Sequence, residues 1–212
     1  MATVVPTILA TTPDEYGTML ELAEGLSQRV HVDICDGRFA DNKTIGLAQV
    51  QVSAGVELDL HLMLQNPLEQ LETALSLKPH LIIFHAESTG DVAGAMAHTR
   101  DLGVRAGVAV LPQTSVETAR PLIEHADHVL IFTGQLGHNG GQFQSDQLAR
   151  ISDVRQLRPA AEISVDGGVN DRNAALIALQ SVDVLYTGAF LQQAEDPAAA
   201  FESIQRQIEV KV

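Results

Sequence analysis

Short apolar runs alternate with amphipathic segments along the whole chain. The apolar runs are rich in Val, Ile and Leu, and there are eight of them: Val4–Leu9, Val30–Ile34, Leu58–Leu62, Leu81–Phe84, Gly107–Leu111, Val129–Phe132, Ile163–Val165 and Val184–Tyr186. Several of them, such as Leu81–Phe84 and Val129–Phe132, are apolar throughout instead of alternating with polar residues, which is typical of parallel strands covered on both faces. The pattern therefore predicts eight buried parallel strands.

The segments between the strands carry the apolar spacing of α-helices. The clearest of them are Tyr16–Leu26, Asp91–Leu102, Leu148–Leu157 and Arg172–Leu179. Proline preceded by a capping residue marks three helix starts, at Thr12-Pro13, Asn66-Pro67 and Asp196-Pro197. Strands and helices thus alternate from one end of the sequence to the other.

Such alternation fits either a closed barrel or an open doubly wound sheet. A count of eight favours the barrel. An open dinucleotide-binding sheet needs a glycine-rich turn after its first strand, whereas residues 10–13 here read Ala-Thr-Thr-Pro. We therefore predict an α/β protein with one (β/α)8 TIM-barrel domain over residues 1–212.

Charge and composition exclude several classes of function. The formal net charge is −14, which argues against nucleic acid as a partner because phosphate backbones bind basic surfaces. No apolar stretch approaches the ~20 residues of a membrane span. The single Cys35 fits a reducing compartment, so we predict a cytoplasmic protein without a membrane partner. An anionic substrate would have to be held by local backbone N–H groups.

Polar side chains gather at the carboxyl ends of the predicted strands, where (β/α)8 barrels place their active sites. His31 and Asp33 end the second strand, two residues apart and hence on one face. His61 ends the third strand and Asp166 the seventh. A lone histidine there is usually structural, but four such groups at one mouth are costly unless paired or metal-bound. We predict one divalent metal ion, Zn, Fe(II) or Mn(II), held by these four residues.

The other histidines and the sulfur-containing residues are less informative. His85 and Glu87 end the fourth strand, and we predict a structural role for them behind the metal ligands. Four further histidines, which lie in helical or pre-strand positions, are predicted to be on the surface: His80, His98, His125 and His128. Cys35 and Met63 either pack in the core or line the substrate pocket.

Small residues follow the last three strands. They are Gly140 and Gly141, Gly167 and Gly168, and Gly188 and Ala189. One glycine pair is weak evidence, but loops after the last strands of these barrels commonly bind phosphate. No lysine or arginine is evident in them, so backbone N–H groups would be the donors. We predict that these six residues, with His61 and Met63, bind a phosphorylated substrate.

Taken together, the motifs resemble those of the ribulose-phosphate 3-epimerase family. The most specific stretch runs from His31 to Phe39 and on through Asn42-Lys43-Thr44-Ile45-Gly46. Collinear matches follow at Pro6–Leu9, His61–Met63 with Asn66-Pro67, Phe84–Glu87, Pro112–Glu117 and Val165–Val169.

The resemblance implies a ribulose-phosphate-binding barrel that interconverts D-ribulose 5-phosphate and D-xylulose 5-phosphate at C3. It implies metal ligation by His31, Asp33, His61 and Asp166. Asp33 and Asp166 would exchange protons with opposite faces of the substrate through an enediolate. We expect a carbohydrate isomerase of the pentose phosphate pathway that forms a homo-oligomer.

Several positions depart from the family's pattern. Ala10 stands where the family usually has Ser, Cys35 and Phe132 where it has Met, and Ala40-Asp41 where it has Val-Pro. Residues 134–139 replace a more regular Glu-Pro-Gly-Phe loop. These changes concern the pocket wall and not the ligands. They leave two alternatives open: an epimerase of another sugar phosphate, such as a hexulose 6-phosphate, and a barrel that binds sugar phosphates without turning them over.

Overall fold

Eight parallel strands form a closed barrel, in which each strand pairs with the next along the chain and β8 pairs with β1. The structure is a computed structural model that describes residues 2–138 and 140–209. The strands are β1 Thr3–Ile8, β2 Arg29–Cys35, β3 Glu57–Met63, β4 Leu81–His85, β5 Arg105–Val110, β6 His128–Phe132, β7 Glu162–Asp166 and β8 Val184–Thr187. The predicted TIM barrel is confirmed. Asn139, and the ends of the predicted domain at Met1 and at 210–212, lie outside the described residues.

The helices pack around the barrel. They are α1 Pro13–Leu26, α2 Leu71–Ser76, α3 Val92–Asp101, α4 Val116–Ile123, α5 Arg150–Leu157, α6 Ala174–Ala178, α7 Ala189–Gln192 and α8 Pro197–Glu209. Thr12 caps α1, as the sequence predicts, and the structure adds that Glu15 completes a capping box. Pro67 opens a 3₁₀ turn that leads into α2. No described helix is long and apolar enough to cross a membrane.

The connection between β2 and β3 differs from the regular alternation. Residues 36–56 are all described, and they hold a 3₁₀ turn at Leu47–Gln49 but no α-helix. Both oxygens of Asp36 are occupied by backbone N–H groups: Oδ1 accepts from Arg38 and Phe39, and Oδ2 accepts from Gln65 at 2.8 Å. The carboxylate thereby fixes a segment that begins at the end of β2, at the barrel mouth.

The bottom of the barrel interior is an ionic network. Arg29, at the start of β2, donates two hydrogen bonds of 3.0 Å to Glu162 and one of 2.7 Å to Asp59. His128 contacts Glu162 through Nδ1 and Ser164 through Nε2. The prediction that His128 is a surface residue is therefore wrong: it is fully buried, because the first residue of β6 points into the barrel. His98 and His125 are exposed, as predicted, and His80 is half-buried.

Inward-facing residues above this network build the barrel core. Val5, Ile83, Leu130 and Tyr186 are completely buried and pack together. The Tyr186 hydroxyl donates to Asp59 at 2.7 Å. The layer is not continuous around the barrel, because on β3 Asp59 of the bottom network and His61 at the mouth are two residues apart and share the inward face.

Candidate active site

The four predicted ligands meet at the mouth of the barrel. His31 and Asp33 both point inward from β2, and Asp33 lies in register with His61 of β3. Asp166 is the last residue of β7. All four are buried, and one ligand atom from each lies within 4.8 Å of the others. Strand alternation and barrel closure bring the residues together, as the sequence predicts.

Asp33 is the centre of this cluster. Its Oδ1 lies 2.8 Å from His61 Nδ1 and 3.2 Å from His31 Nε2. His61 Nδ1 is also 3.9 Å from Asp166 Oδ2. One imidazole nitrogen from each histidine therefore faces a carboxylate oxygen.

The surroundings separate the pKa values of the two carboxyl groups. Burial tends to raise the pKa of Asp33, but the hydrogen bonds of His31 and His61 outweigh it and hold that pKa below its ordinary range. The pKa of Asp166 is raised to about 6, by burial and by the negative charge of Asp33. One carboxyl group thus stays ionised while the other gains a proton at mildly acidic pH.

The donor set fits a divalent metal ion. Two imidazole nitrogens and two carboxylates suit Zn, Mn(II) or Fe(II), and two negative charges in a buried site need compensation. Among the described residues, these four form the cluster whose possible ligand atoms all lie within 4.8 Å of one another. The site could therefore hold a metal ion, whose identity the geometry leaves open.

We expect Asp166→Asn to stabilise the metal-free protein at neutral pH. With a folded pKa of about 6 and an ordinary value of 3.8, Asp166 holds a proton in the fold that the unfolded chain has already lost. The free energy of unfolding therefore falls by on the order of 1–3 kcal/mol as pH rises from 3.8 to 6, and it stays at the lower value above pH 6. Asparagine does not ionise, so the variant does not lose this stability as pH rises.

Urea unfolding of chelator-treated protein at pH 7.5 and at pH 4 measures the effect. Asp101→Asn is the matched control, since Asp101 is exposed at the end of α3. The variant should gain stability at pH 7.5 and very little at pH 4. An equal gain at both pH values would show that the charge of Asp166 is not its cause.

A pocket of about 220 Å³ opens above the carboxylates. Asp33, Asp166, Met63 and Phe132 line it, together with every residue of the three small-residue pairs: Gly140, Gly141, Gly167, Gly168, Gly188 and Ala189. None of its described lining residues is lysine or arginine. His31 and His61 are fully buried and do not line it. Direct substrate contact by His61 stays a prediction.

The loops after β6 and β7 touch each other through their glycines. A Cβ on Gly168 would lie 2.7 Å from the carbonyl oxygen of Gly141 and 2.9 Å from the backbone nitrogen of Phe143. Gly168 also has a φ of +75°, which disfavours side chains. This contact between the two loops is therefore enough by itself to require glycine at position 168. A Gly168→Val substitution would distort the loops whether or not phosphate binds there.

The pocket is also lined by residues that the sequence does not single out as binding residues. They are Thr7, Leu9, Gln135, Gly137, His138, Val169, Asn170, Tyr186, Phe190 and Gln193. Thr7 and Leu9 fall in a family-like motif, and their position at the end of β1 could have identified them. Asn170 donates to the Gly168 carbonyl and so supports the β7 loop. Gln193 and Phe190 follow β8 in α7 and its cap, with no motif to mark them.

Two departures from the family's pattern contact each other across the mouth. Asn42 donates to the Gly137 carbonyl at 2.8 Å, and His138 Nε2 lies 2.6 Å from Asp41 Oδ1. A Cβ on Gly137 would lie 2.8 Å from that of Ala40. The small residue at 40 and the unusual β6 loop are thus adjacent, so one change accommodates the other.

Cys35 belongs to the packing behind the pocket. It is buried, does not line the pocket, and its sulfur lies 3.8 Å from that of Met63. Burial raises the pKa of the Cys35 thiol above its ordinary range, which makes it a poor nucleophile. Cys35 therefore packs in the core and does not line the pocket, whereas Met63 packs in the core and also lines the pocket.

His85 and Glu87 lie behind His61. Burial lowers the pKa of His85 to about 4, so the ring is neutral. Burial acts to raise the pKa of Glu87, but hydrogen bonds from the His85 and Thr114 side chains and the Leu111 backbone lower it. A neutral imidazole between a ligand and a carboxylate suits the supporting role predicted for these residues.

Fold and site define a (β/α)8-barrel enzyme whose mouth combines a buried histidine–carboxylate cluster with glycine-rich loops. Comparison with known families agrees with this class. The sequence model described as "Ribulose-phosphate 3 epimerase family" matches residues 3–191. The chain belongs to the ribulose-phosphate 3-epimerase family, whose members are isomerases.

Individual relatives support this membership. The chain is 32% identical over 185 residues to a ribulose-phosphate 3-epimerase of Mycobacterium tuberculosis, with 84% of this chain and 81% of the relative covered. It is 32% identical over 183 residues to that of Helicobacter pylori, covering 83% and 84%. These alignments extend over most of both proteins.

Solved structures with much lower sequence identity share the fold. A 3-keto-L-gulonate-6-phosphate decarboxylase from Vibrio cholerae aligns with a TM-score of 0.74 at 12% identity, covering 98% of this chain and 97% of that one. A 3-hexulose-6-phosphate synthase from Salmonella typhimurium aligns with a TM-score of 0.69 at 18% identity, covering 98% of each chain. At such identities the similarity establishes the barrel alone.

Proposed function

We propose that the protein interconverts D-ribulose 5-phosphate and D-xylulose 5-phosphate by inverting C3 with a divalent metal ion bound. The observation that carries the proposal is the placement of Asp33 and Asp166 in one pocket with the glycine-rich loops. Family membership supports the epimerisation of a pentose phosphate. The choice of substrate and the roles of the residues are our inference.

The two carboxyl groups would act as the acid and the base. Inversion next to a carbonyl needs a proton removed from one face of C3 and another delivered to the opposite face. Asp33, whose pKa is held low, enters the reaction ionised and would accept the first proton. Asp166, whose pKa of about 6 lies close to neutrality, would take up a proton from solvent and deliver it to the opposite face, and the roles reverse for the opposite direction.

His31 and His61 would hold the site together. Each presents one ring nitrogen to Asp33, and with Asp33 and Asp166 they would be the metal ligands. The bound ion would supply positive charge that stabilises the enediolate oxygens. Because both histidines are fully buried, they fix the position of Asp33 without occupying space that the substrate needs.

Backbone N–H groups of the loops after β6, β7 and β8 would bind the phosphate. Gly168 and Gly188 line the pocket within these loops, and short loops rich in glycine expose such donors. The net charge of −14 gives no long-range attraction for a dianion, so short-range hydrogen bonds would supply the affinity.

We expect sulfate and inorganic phosphate to inhibit competitively against the sugar phosphate. The physical reason is that both anions match the same ring of backbone donors. Initial rates at several fixed sulfate concentrations, with chloride at matched ionic strength as the control, measure the effect. Non-competitive inhibition, or none beyond the chloride control, would place the phosphate elsewhere.

A related epimerisation remains the alternative. Ala10 and Cys35 are buried and Phe132 lines the pocket, so the wall departs from the family's pattern while the four clustered residues match it. The alternative substrate is another ketose phosphate, such as a hexulose 6-phosphate, since Phe132 changes the surface that the substrate would meet. A barrel that binds sugar phosphates without turnover is the remaining possibility.

Activity assays separate these three functions. Metal-loaded protein is incubated with D-ribulose 5-phosphate or with a hexulose 6-phosphate, and the products are resolved by chromatography. The proposal predicts a higher kcat/KM for the pentose. A preference for the hexulose substrate would favour the alternative epimerase, and binding of both without product would favour the binder.

Homo-oligomer formation and a cytoplasmic location stay predictions, which light scattering and cell fractionation would test.

A further inference from the structure

A row of buried polar groups runs away from the predicted metal site on the side opposite the pocket. His61 Nε2 lies 2.8 Å from His85 Nε2, and neither residue is exposed to solvent. The two rings stack with their centroids 4.9 Å apart. Only one proton fits between two nitrogens at this distance, so one ring donates and the other accepts.

Glu87 stands at the far end of this row. Its Oε1 accepts a hydrogen bond of 3.0 Å from the Leu111 backbone. Its Oε2 lies 3.4 Å from His85 Nδ1, and neither of these two buried atoms makes a hydrogen bond of good geometry with the described residues. An anchored carboxylate oxygen thus faces a ring nitrogen that needs a partner.

The protons on the two rings can be arranged in two ways. In the first, His61 carries its proton on Nε2 and donates it to His85 Nε2, and His85 carries its own on Nδ1, pointing at Glu87. In the second, His61 carries its proton on Nδ1, toward Asp33, and His85 donates from Nε2. His85 then turns a bare Nδ1 lone pair toward the Glu87 carboxylate.

The two arrangements differ in what they offer a metal ion. Only the first leaves His61 Nδ1 bare, and this is the nitrogen 2.8 Å from Asp33 Oδ1. The second puts a proton where the metal would bind. A negative carboxylate favours a facing N–H and disfavours a facing lone pair. Glu87 therefore stabilises the first arrangement, whereas Asp33 stabilises the second as long as no metal ion occupies the His61 Nδ1 position.

We propose that Glu87 is a positioning residue that acts through His85 to hold His61 in the tautomer that binds metal. The inference rests on the proposed role of His61 as a ligand. Groups that orient a ligating imidazole in this way typically contribute 10–100-fold to metal affinity. Glu87 would do so through His85 and without touching substrate.

Glu87→Gln tests the proposal with little change of shape. The Leu111 N–H needs an acceptor and would hold the amide oxygen at the Oε1 position. The amide NH₂ group would then take the Oε2 position and donate to His85 Nδ1, which enforces the second arrangement. We expect metal affinity, measured with Co(II) or Zn against a competing chelator, to fall by about 10–100-fold.

Glu72→Gln is the matched control. Glu72 Oε1 lies 2.9 Å from His98 Nε2 in an exposed pair on the outer surface, so the same substitution removes the same charge beside a histidine. This variant should keep the wild-type metal affinity. Long-range ¹H–¹⁵N spectra of the Zn-loaded proteins report which nitrogen of His85 carries the proton, and this should be Nδ1 in the wild type and should move away from Nδ1 in Glu87→Gln.

His85→Phe and the double variant provide a second measurement that does not depend on Glu87→Gln alone. Because Glu87 acts through His85, adding Glu87→Gln to His85→Phe should weaken metal binding no further. A Glu87→Gln protein with wild-type affinity and an unchanged tautomer would overturn the proposal, as would fully additive losses in the double variant. Absence of metal binding by the wild type would instead contradict the proposed metal site, so the two failures are distinct.

Discussion

Asparagine at either Asp33 or Asp166 is expected to lower turnover of D-ribulose 5-phosphate by about 10²–10⁴-fold, because each removes one of the two groups that exchange protons with C3. Asparagine keeps the shape of the side chain, so the barrel should fold in both variants. Circular dichroism and thermal unfolding check the fold, and Asp101→Asn on the outer surface serves as the control.

The two variants should differ in metal binding. Asp33 Oδ1 is the oxygen that both histidines face, and its pKa is held low, so its loss should weaken metal affinity more. Asp166 has one contact to the cluster, at 3.9 Å from His61 Nδ1. An Asp166→Asn protein that binds metal well but turns over slowly would separate the chemical role from ligation. Near-wild-type turnover by either variant would contradict the two-base assignment.

Removal of the metal ion is expected to abolish activity, and Zn, Mn(II) or Fe(II) should restore it. Without the ion, nothing in the pocket compensates the charge of an enediolate, since no described lining residue is a lysine or arginine. Elemental analysis of protein purified without chelator, followed by dialysis and titration with each ion, measures the dependence. Activity that survives complete removal of metal would end the metal hypothesis.

The same titration should show a definite pH dependence. A ligand must lose its proton before it binds the ion, and Asp166 has a pKa of about 6. Metal affinity should therefore fall, by up to about tenfold per pH unit for each proton displaced, as pH drops through the pKa values of the ligands. The hydrogen bond and charge of Asp33 raise the pKa of His31 against the effect of burial, which adds to the loss. Asp166→Asn should have a shallower slope.

Much of this architecture could be predicted from the sequence because barrels place active-site residues by a simple rule. Inward-pointing residues at strand ends converge, and this rule located His31, Asp33, His61 and Asp166. Inward-pointing residues converge at the other end of the strands as well, and this is why the surface position predicted for His128 is wrong. Its burial against Glu162 depends on strand β7, more than thirty residues further along the chain.

Contacts between loops were the least predictable part of the site. Glycine at 168 could be recognised as a turn residue, but its close approach to Gly141 depends on two loops that meet only in the folded barrel. The contact between His138 and Asp41 likewise joins residues that no local pattern relates. The missing α-helix after β2 is a third case, because tertiary packing there replaces regular structure.

The central claim is that the two carboxyl groups invert C3 of a pentose phosphate, and proton exchange tests it most directly. Metal-loaded protein is mixed with D-ribulose 5-phosphate in D₂O, and C3 is followed by NMR during the first turnovers. The account predicts that D-xylulose 5-phosphate forms with deuterium at C3, while the remaining substrate still carries hydrogen there, because a different group serves each face. No product and no exchange, or deuterium entering the substrate faster than product appears, would contradict it.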